Sequence, residues 1–297
     1  MCAVKMRPDE VDVEVPLVRR LVAAQYPQWA SLPVERLTSS GTENAMFRLG
    51  EDKVVRLPRH PGAVESVAHE QYWLARLVPR LSVAAPVPLE RGEPGEGFPW
   101  PWSVYRWLDG RNPVAGAVEK PEALAADLGA FVAELRRIDP QDGPANDRGV
   151  PLRERDAFTR DAIAQLEGRI DTASVTALWE EALRVPDRTD PPVWAHSDLS
   201  PGNVLVEDGR LAAVIDFGGV GVGDPAVDLI VAWNLLPASA RATFRKAVGA
   251  DDAEWARGRG WALSISLIQL PYYWETNPPL AENSRHVIRE ILTETGR

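Results

Sequence analysis

One cysteine, Cys2, stands in a chain of 297 residues, so no disulfide can form within it. A chain of this length buries a full core without covalent staples, and the expected setting is reducing and cytoplasmic. Lysine is nearly as scarce. Lys5, Lys53, Lys120 and Lys246 are the whole supply, so a site that needs a cation is expected to use arginine. No run approaches the ~18 apolar residues that span a bilayer. The opening MCAVKMRPDEVDVEV has no apolar segment of signal-peptide length, and no membrane partner is expected. Internal repeats and low-complexity tracts are absent, as are both glycine-rich phosphate signatures, G-x-G-x-x-G and G-x-x-x-x-G-K-[ST]. Negative charge, by contrast, is in excess. A net charge of −10 disfavours nucleic acid and anionic membranes and favours a cationic partner, while also serving solubility.

Periodicity divides the rest into two unlike parts. Short strand patterns occur over Val34–Thr38, Ala45–Leu49 and Val54–Leu57. The turn-rich hexapeptide Ser39-Ser40-Gly41-Thr42-Glu43-Asn44 separates the first two. A helix is expected from Val64 to Val78, after Pro61-Gly62 and before Pro79. One more strand, Trp102–Leu108, runs into the Asp109-Gly110 turn. Beyond it helical spacing dominates: Leu124–Ile138, Phe158–Leu166, Val175–Leu183, Val227–Leu236, Arg241–Val248, Trp255–Leu270 and His286–Thr293. A short hairpin, Val204–Val206 and Ala212–Ile215 joined at Asp208-Gly209, interrupts them. The pattern is α+β: a small β-rich lobe over residues 1–105, a hinge over 106–112 and a larger helical lobe over 113–297.

The most informative stretch is HSDLSPGNVLVEDGRLAAVIDFGGVGVGDPAVDL, from His196 on. It holds H-x-D-x-x-x-x-N as His196, Asp198 and Asn203, then D-F-G as Asp216, Phe217 and Gly218. Pro201-Gly202 forces a tight loop, so Asp198 and Asn203 can face one point, and the hairpin returns Asp216 to the same place. Phosphoryl transfer needs such a set. Asp198 would orient a hydroxyl and take its proton; Asn203 and Asp216 would hold Mg2+ through oxygen donors. A turn with local Asp and Asn caps is the plain alternative for each residue singly, and the joint pattern argues against it. His196 is read as a structural hydrogen-bonding residue.

These residues, with Asp224-Pro225-Ala226-Val227-Asp228-Leu229 after them, resemble the aminoglycoside phosphotransferase family, antibiotic kinases with a protein-kinase-like fold. The resemblance runs from about Leu37 to the C-terminus. It implies two lobes with ATP or GTP between them. It implies a basic residue on the third strand, for which Arg56 takes the position and Lys53 is the alternative. A helix carboxylate would position it: Glu70, with Glu65 one turn earlier as competitor. Ser40, Gly41 and Thr42 would cover the phosphates, or form a bare hairpin turn. At the hinge, the Arg106 carbonyl and the Leu108 N–H would read the purine edge. The acceptor would meet the helical lobe, with Asp228, Trp274 and Glu275 as candidates. Asp224 is read as structural, and Asp228 as either a brace for the catalytic loop or part of the acceptor pocket.

The expected protein is therefore a Mg2+-dependent kinase of a small-molecule hydroxyl, acting as a monomer or weak dimer. The acceptor expected is a cationic antibiotic, an aminoglycoside or a macrolide. A metabolite kinase of the same fold, acting on choline, homoserine or a sugar, is the alternative. A catalytically silent nucleotide-binding pseudokinase is the other, motivated by Arg56 and the missing glycine pattern. No A-P-E segment follows Asp216, which argues against a protein acceptor.

Overall fold

In the computed structural model, residues 10–37 and 43–297 are described. Five antiparallel strands form the small lobe: β1 (Val34–Arg36), β2 (Asn44–Leu49), β3 (Lys53–Pro58), β4 (Pro88–Gly92) and β5 (Trp102–Arg106), in the spatial order β1-β2-β3-β5-β4. Alternation explains β2: Ala45, Phe47 and Leu49 point into the core while Asn44, Met46 and Arg48 are half-buried on the other face. A helix not foreseen from the sequence, α1 (Val15–Gln25), covers the sheet. Pro16 starts it, and Val18, Leu21 and Val22 join Phe47, Val55, Phe98 and Trp102 in the small-lobe core.

Helix α2 (Pro61–Leu77) belongs to both lobes. It follows β3 in the chain, yet Trp73, Leu74 and Leu77 bury into the large-lobe core, where Trp73 meets Trp194 at 4.9 Å between ring centroids. A helix pinned at its C-terminal half to the other lobe fixes where its buried carboxylate, Glu70, can sit.

The large lobe comprises α3 (Pro121–Arg137), α4 (Asp156–Gln165), α5 (Thr172–Leu183), β6 (Val193–Ala195), β7 (Val204–Glu207), β8 (Arg210–Val214), β9 (Gly221–Gly223), α6 (Val231–Asn234), α7 (Ala238–Val248), α8 (Asp252–Tyr273) and α9 (Pro278–Glu294). The β7–β8 turn has Asp208 at φ 49° and Gly209 at φ 73°, the left-handed pair expected of an Asp-Gly hairpin. Asp171 and Asp251 start α5 and α8 by accepting the Ser174 and Glu254 amides at 3.0 and 2.7 Å. The expected helix over 227–236 is split, its first part a 3-10 turn over Pro225–Ile230 and its second α6. Among the described residues no helix is long and apolar enough to cross a membrane.

Candidate active site

The loop after β6 is held by more bonds than its length requires. Ser197 sits at φ 74°, a left-handed conformation that a serine adopts only when neighbours impose it. Asp228 imposes it: its two oxygens accept the His196 and Ser197 amides at 2.9 and 2.7 Å. The Asn146 side chain bonds the Ser197 hydroxyl. Asn234 donates to the Leu199 carbonyl at 2.8 Å, and Asn112 donates to the carbonyls of Pro201, Gly202 and Val204. His196 is buried, with Nε2 donating to the Ile215 carbonyl at 3.1 Å and Nδ1 accepting the Asp198 amide at 3.3 Å. Those partners fix its tautomer and give it the structural role expected.

This scaffold presents Asp198 and Asn203. The Asn203 side-chain nitrogen donates to Asp198 Oδ2 at 2.9 Å and to the Asp198 carbonyl at 2.8 Å, which leaves the amide oxygen as the atom for a cation. The Asn203 carbonyl in turn accepts the Ile215 amide at 2.9 Å, so the loop is tied to the residue before Asp216. Asp216 has φ 63° and ψ 69°, a second left-handed non-glycine position at the same cleft. The side chains of Asp198 and Asp216 are 38% and 42% exposed, open enough to receive a ligand. A Cβ on Gly218 would lie 2.2 Å from the Ser66 hydroxyl of α2, so a larger residue there would have to turn that side chain aside.

Across the cleft, Arg56 on β3 forms an ion pair with Glu70 and places Nη2 3.1 Å from Asp216 Oδ1. The Asn44 amide, with its oxygen toward Arg56, accepts from Nε and Nη2 at 3.0 Å. Glu70 also accepts the Phe217 amide at 3.1 Å and the Tyr105 hydroxyl at 3.2 Å. Burial alone would lower the Arg56 pKa, but the carboxylates of Glu70 and Asp216 outweigh it and hold the guanidinium firmly charged. Burial, followed by the charge of Glu70, pushes the Tyr105 phenol well above its ordinary value. Of the competing candidates, Glu65 is exposed, and Lys53 pairs with its neighbour Asp52 at 2.6 Å.

In the segment expected to be the hinge, Arg106 is exposed and its amide donates to the Val87 carbonyl at 3.0 Å. Trp107 donates to the Asp52 carbonyl at 2.8 Å, while the Leu108 N–H makes no hydrogen bond among the described residues. Ser40, Gly41 and Thr42 lie outside the described residues.

One acceptor candidate is corrected. Asp228 is fully buried and spends both oxygens on backbone amides, so it braces the loop and lines no pocket. Burial raises its pKa, against the pull of His196 and the two amides. The Trp274 ring already carries the guanidinium groups of Arg169 and Arg285 at 4.8 and 4.4 Å. Glu275 is exposed in the same turn after α8. Asp224 has the structural role expected: it accepts the Ala226 amide at 3.0 Å and pairs with Arg257 at 2.7 Å.

Arg148 was not foreseen. Its Nη1 donates to Asp198 Oδ1 at 2.5 Å and to the Ser197 carbonyl at 3.1 Å. The Asp198 charge raises the Arg148 pKa. The segment that carries it runs beside β9: Val222 donates to the Pro144 carbonyl at 2.8 Å, Asn146 to the Val222 carbonyl at 3.1 Å, and Asp224 to the Gly149 carbonyl at 2.8 Å. Nothing in the sequence marks this arginine, because it reaches Asp198 from a loop 50 residues upstream.

The donor set fits Mg2+. Among the described residues no three His, Cys, Asp or Glu side chains gather to cage a metal. Magnesium needs no such cage: one or two protein oxygens suffice when phosphates and water complete the octahedron, and Asn203 and Asp216 offer two.

The model of the phosphotransferase enzyme family matches residues 35–261. An aminoglycoside 3'-phosphotransferase of Escherichia coli is 25% identical over 142 residues, 46% of this chain and 52% of that enzyme. The chain spans about half the length, or less, of the curated relatives it matches. Among solved structures, the GDP and kanamycin complex of APH(2")-IIia superposes with a TM-score of 0.77 at 18% identity, covering 93% of this chain and 98% of that one. The apoenzyme of the macrolide 2'-phosphotransferase MphH from Brachybacterium faecium superposes at 0.61 with 24% identity, over 92% and 98% of the two chains. These likenesses establish the two-lobed kinase-like fold.

Proposed function

The chain belongs to the phosphotransferase enzyme family, and we propose that it moves the γ-phosphoryl of ATP or GTP to a hydroxyl of a small molecule. The observation that carries this reading is the double use of Asn203. Its side chain holds Asp198 at 2.9 Å and its carbonyl holds the Ile215 amide at 2.9 Å, so the base and the second carboxylate, Asp216, are fixed to one residue.

In this reading Asp198 accepts the proton of the acceptor hydroxyl as it attacks. Its two oxygens are oriented by Arg148 and Asn203 and still have lone pairs for the substrate. Arg56 holds the donor phosphates, positioned by Glu70 and kept charged in the cleft. Asn203 and Asp216 would hold Mg2+, which offsets charge on the transferring phosphoryl group. Leu108 offers an N–H with no partner among the described residues, and Arg106 its carbonyl, to the purine edge.

Aminoglycosides and macrolides, the compounds named for the relatives, are the first acceptors to test. Nucleotide consumption with a panel of both classes, followed by detection of the phosphorylated product, is the experiment. Turnover of an antibiotic at the expense of Mg2+-nucleotide supports that acceptor class. One structural feature favours the second reading, a small-metabolite kinase: Asp198 is already matched by the cation of Arg148, which weakens its pull on a polycation. Turnover of choline, homoserine or a sugar in place of any antibiotic would favour that reading. Nucleotide binding without transfer to any acceptor would favour the pseudokinase.

A further inference from the structure

The segment that carries Arg148 meets β9 backbone against backbone. Ala145 bridges Val222 in parallel register, and a Cβ on Gly223 would lie 2.7 Å from the Gly149 carbonyl. A Cβ on Gly149 would lie 2.9 Å from the Gly223 Cα, so this approach needs glycine on both sides. The Gly149 amide donates to the Asn146 carbonyl at 3.1 Å and closes a four-residue turn with Arg148 inside it.

Asn146 is buried and uses both ends of its side-chain amide. Nδ2 donates to the Ser197 hydroxyl, and Oδ1 accepts the Arg148 amide at 2.8 Å. Arg148 Nη1 reaches back to the Ser197 carbonyl at 3.1 Å and to Asp198 Oδ1 at 2.5 Å. The bonds form a closed ring: Asn146 holds Ser197 and Arg148, and Arg148 holds Ser197. Stability is a poor reason for such a mount. The ion pair it serves joins side chains that are 41% and 38% exposed, and exposed pairs contribute little to stability. What the mount does secure is the carboxylate. Arg148 grips Asp198 Oδ1 and Asn203 grips Oδ2, so the group cannot rotate, and each oxygen keeps one lone pair on a fixed side.

We propose that Asn146 and Arg148 are positioning residues for the transfer: Asn146 sets Arg148 in place, and Arg148 locks the Asp198 carboxylate so that it faces a single attacking oxygen. The proposal rests on the phosphotransfer reading and deepens it. Neither residue belongs to the set assigned to nucleotide or Mg2+, so their loss falls on kcat and leaves nucleotide affinity as it was. Misplacing a reacting group by about 1 Å can slow a reaction ~10²-fold, which sets the scale of the effect.

The test is Mg2+-dependent hydrolysis of the terminal phosphate of ATP or GTP by the full chain, with water as acceptor and nucleotide binding measured alongside. Arg148→Ala should lower kcat by roughly 10–100-fold with nucleotide KM unchanged. Ethylguanidinium, which supplies the missing group, should restore the rate saturably by at least ~10-fold, while ethylammonium at equal ionic strength should not. A residue that merely stabilises the fold gives no such rescue. Asn146→Ala, or Asn146→Ser if the first does not fold, should also lower kcat. On the Arg148→Ala background either should cost clearly less than in the parent, because Asn146 acts through Arg148. Should neither fold, the Arg148 arm decides. Parental kcat in Arg148→Ala, equal response to the two ions, or an Asn146 effect that is fully additive with that of Arg148 would overturn the proposal alone. A parent chain that binds no Mg2+-nucleotide would overturn the phosphotransfer reading beneath it.

Discussion

The Phe217 amide donates to Glu70 Oε1 at 3.1 Å, joining the helix of the small lobe to the turn that carries Asp216 in the large one. The other oxygen of Glu70 faces Arg56 and the Tyr105 hydroxyl. One buried carboxylate therefore sets three things at once: the position of the strand arginine, the seat of α2 and the conformation of the turn after Asp216.

Glu70→Gln keeps the shape and removes the charge. Breaking a buried pair leaves Arg56 poorly compensated, so stability should fall by about 3 kcal/mol in chemical denaturation. The nucleotide KM should rise as well, since Arg56 loses its main support. A variant of parental stability would show that the pair carries no such weight.

Asp228→Asn replaces two acceptors by one acceptor and one donor. One of the His196 and Ser197 amides would then face an N–H group instead of an oxygen. We expect a loss of about 1–3 kcal/mol in stability and lower kcat, with the acceptor KM little changed. A rise in acceptor KM alone would return Asp228 to the acceptor pocket.

Asp216→Asn should weaken Mg2+-dependent nucleotide binding by about tenfold, roughly 1.4 kcal/mol, in a metal titration. Nucleotide binding measured without metal should change little. Unaltered magnesium affinity would remove Asp216 from the metal site.

Asp127 bonds Arg210 through both oxygens, at 2.6 and 2.7 Å, tying α3 to the β7–β8 hairpin, and these contacts hold its pKa below the usual carboxylate range. A carboxyl with a depressed native pKa contributes stability above its unfolded value of ~3.9 and loses it as pH falls through the native one. Asp127→Asn should therefore lower stability at neutral pH and flatten the acid limb of the stability profile. An acid limb identical to the parent's would mean that the contact contributes nothing. Raised salt should reduce the effect, because Arg210 is exposed.

The sequence carried those parts of the molecule whose signals are local. The Asp208-Gly209 hairpin and the large-lobe helices other than the one expected over 227–236 are short-range patterns that appear close to where the spacing placed them, and the same kind of pattern singled out Asp198, Asn203 and Asp216. Glu70 was separable from Glu65 because its helical neighbours Leu74 and Leu77 are apolar and mark the inward face. The rest depends on tertiary contact. Helix α1 does carry apolar residues at helical spacing, Val15, Val18, Leu21 and Val22, but its eleven residues are too few to stand alone and take their stability from a sheet later in the chain. Strands β6 and β9 are three residues each, too short for periodicity, and they pair with each other across the active loop. Arg148 and Asn146 lie in a turn-rich stretch where an isolated polar residue has no distinguishing pattern. Asp228 was left between two roles because spacing places a carboxylate near a loop without saying whether it points at backbone or at solvent.

The central claim is that Asp198 activates the attacking oxygen while Asn203 and Asp216 hold the Mg2+ of the nucleotide beside it. The most direct measurement is the slow Mg2+-dependent hydrolysis of the terminal phosphate without acceptor, compared between the parent chain and Asp198→Ala, with nucleotide binding measured alongside. The account predicts hydrolysis in the parent that stops when magnesium is chelated, reduced on the order of 10²–10⁴-fold in the variant while binding is retained. Equal hydrolysis in the two chains, or a parent chain with no affinity for Mg2+-nucleotide, would contradict it.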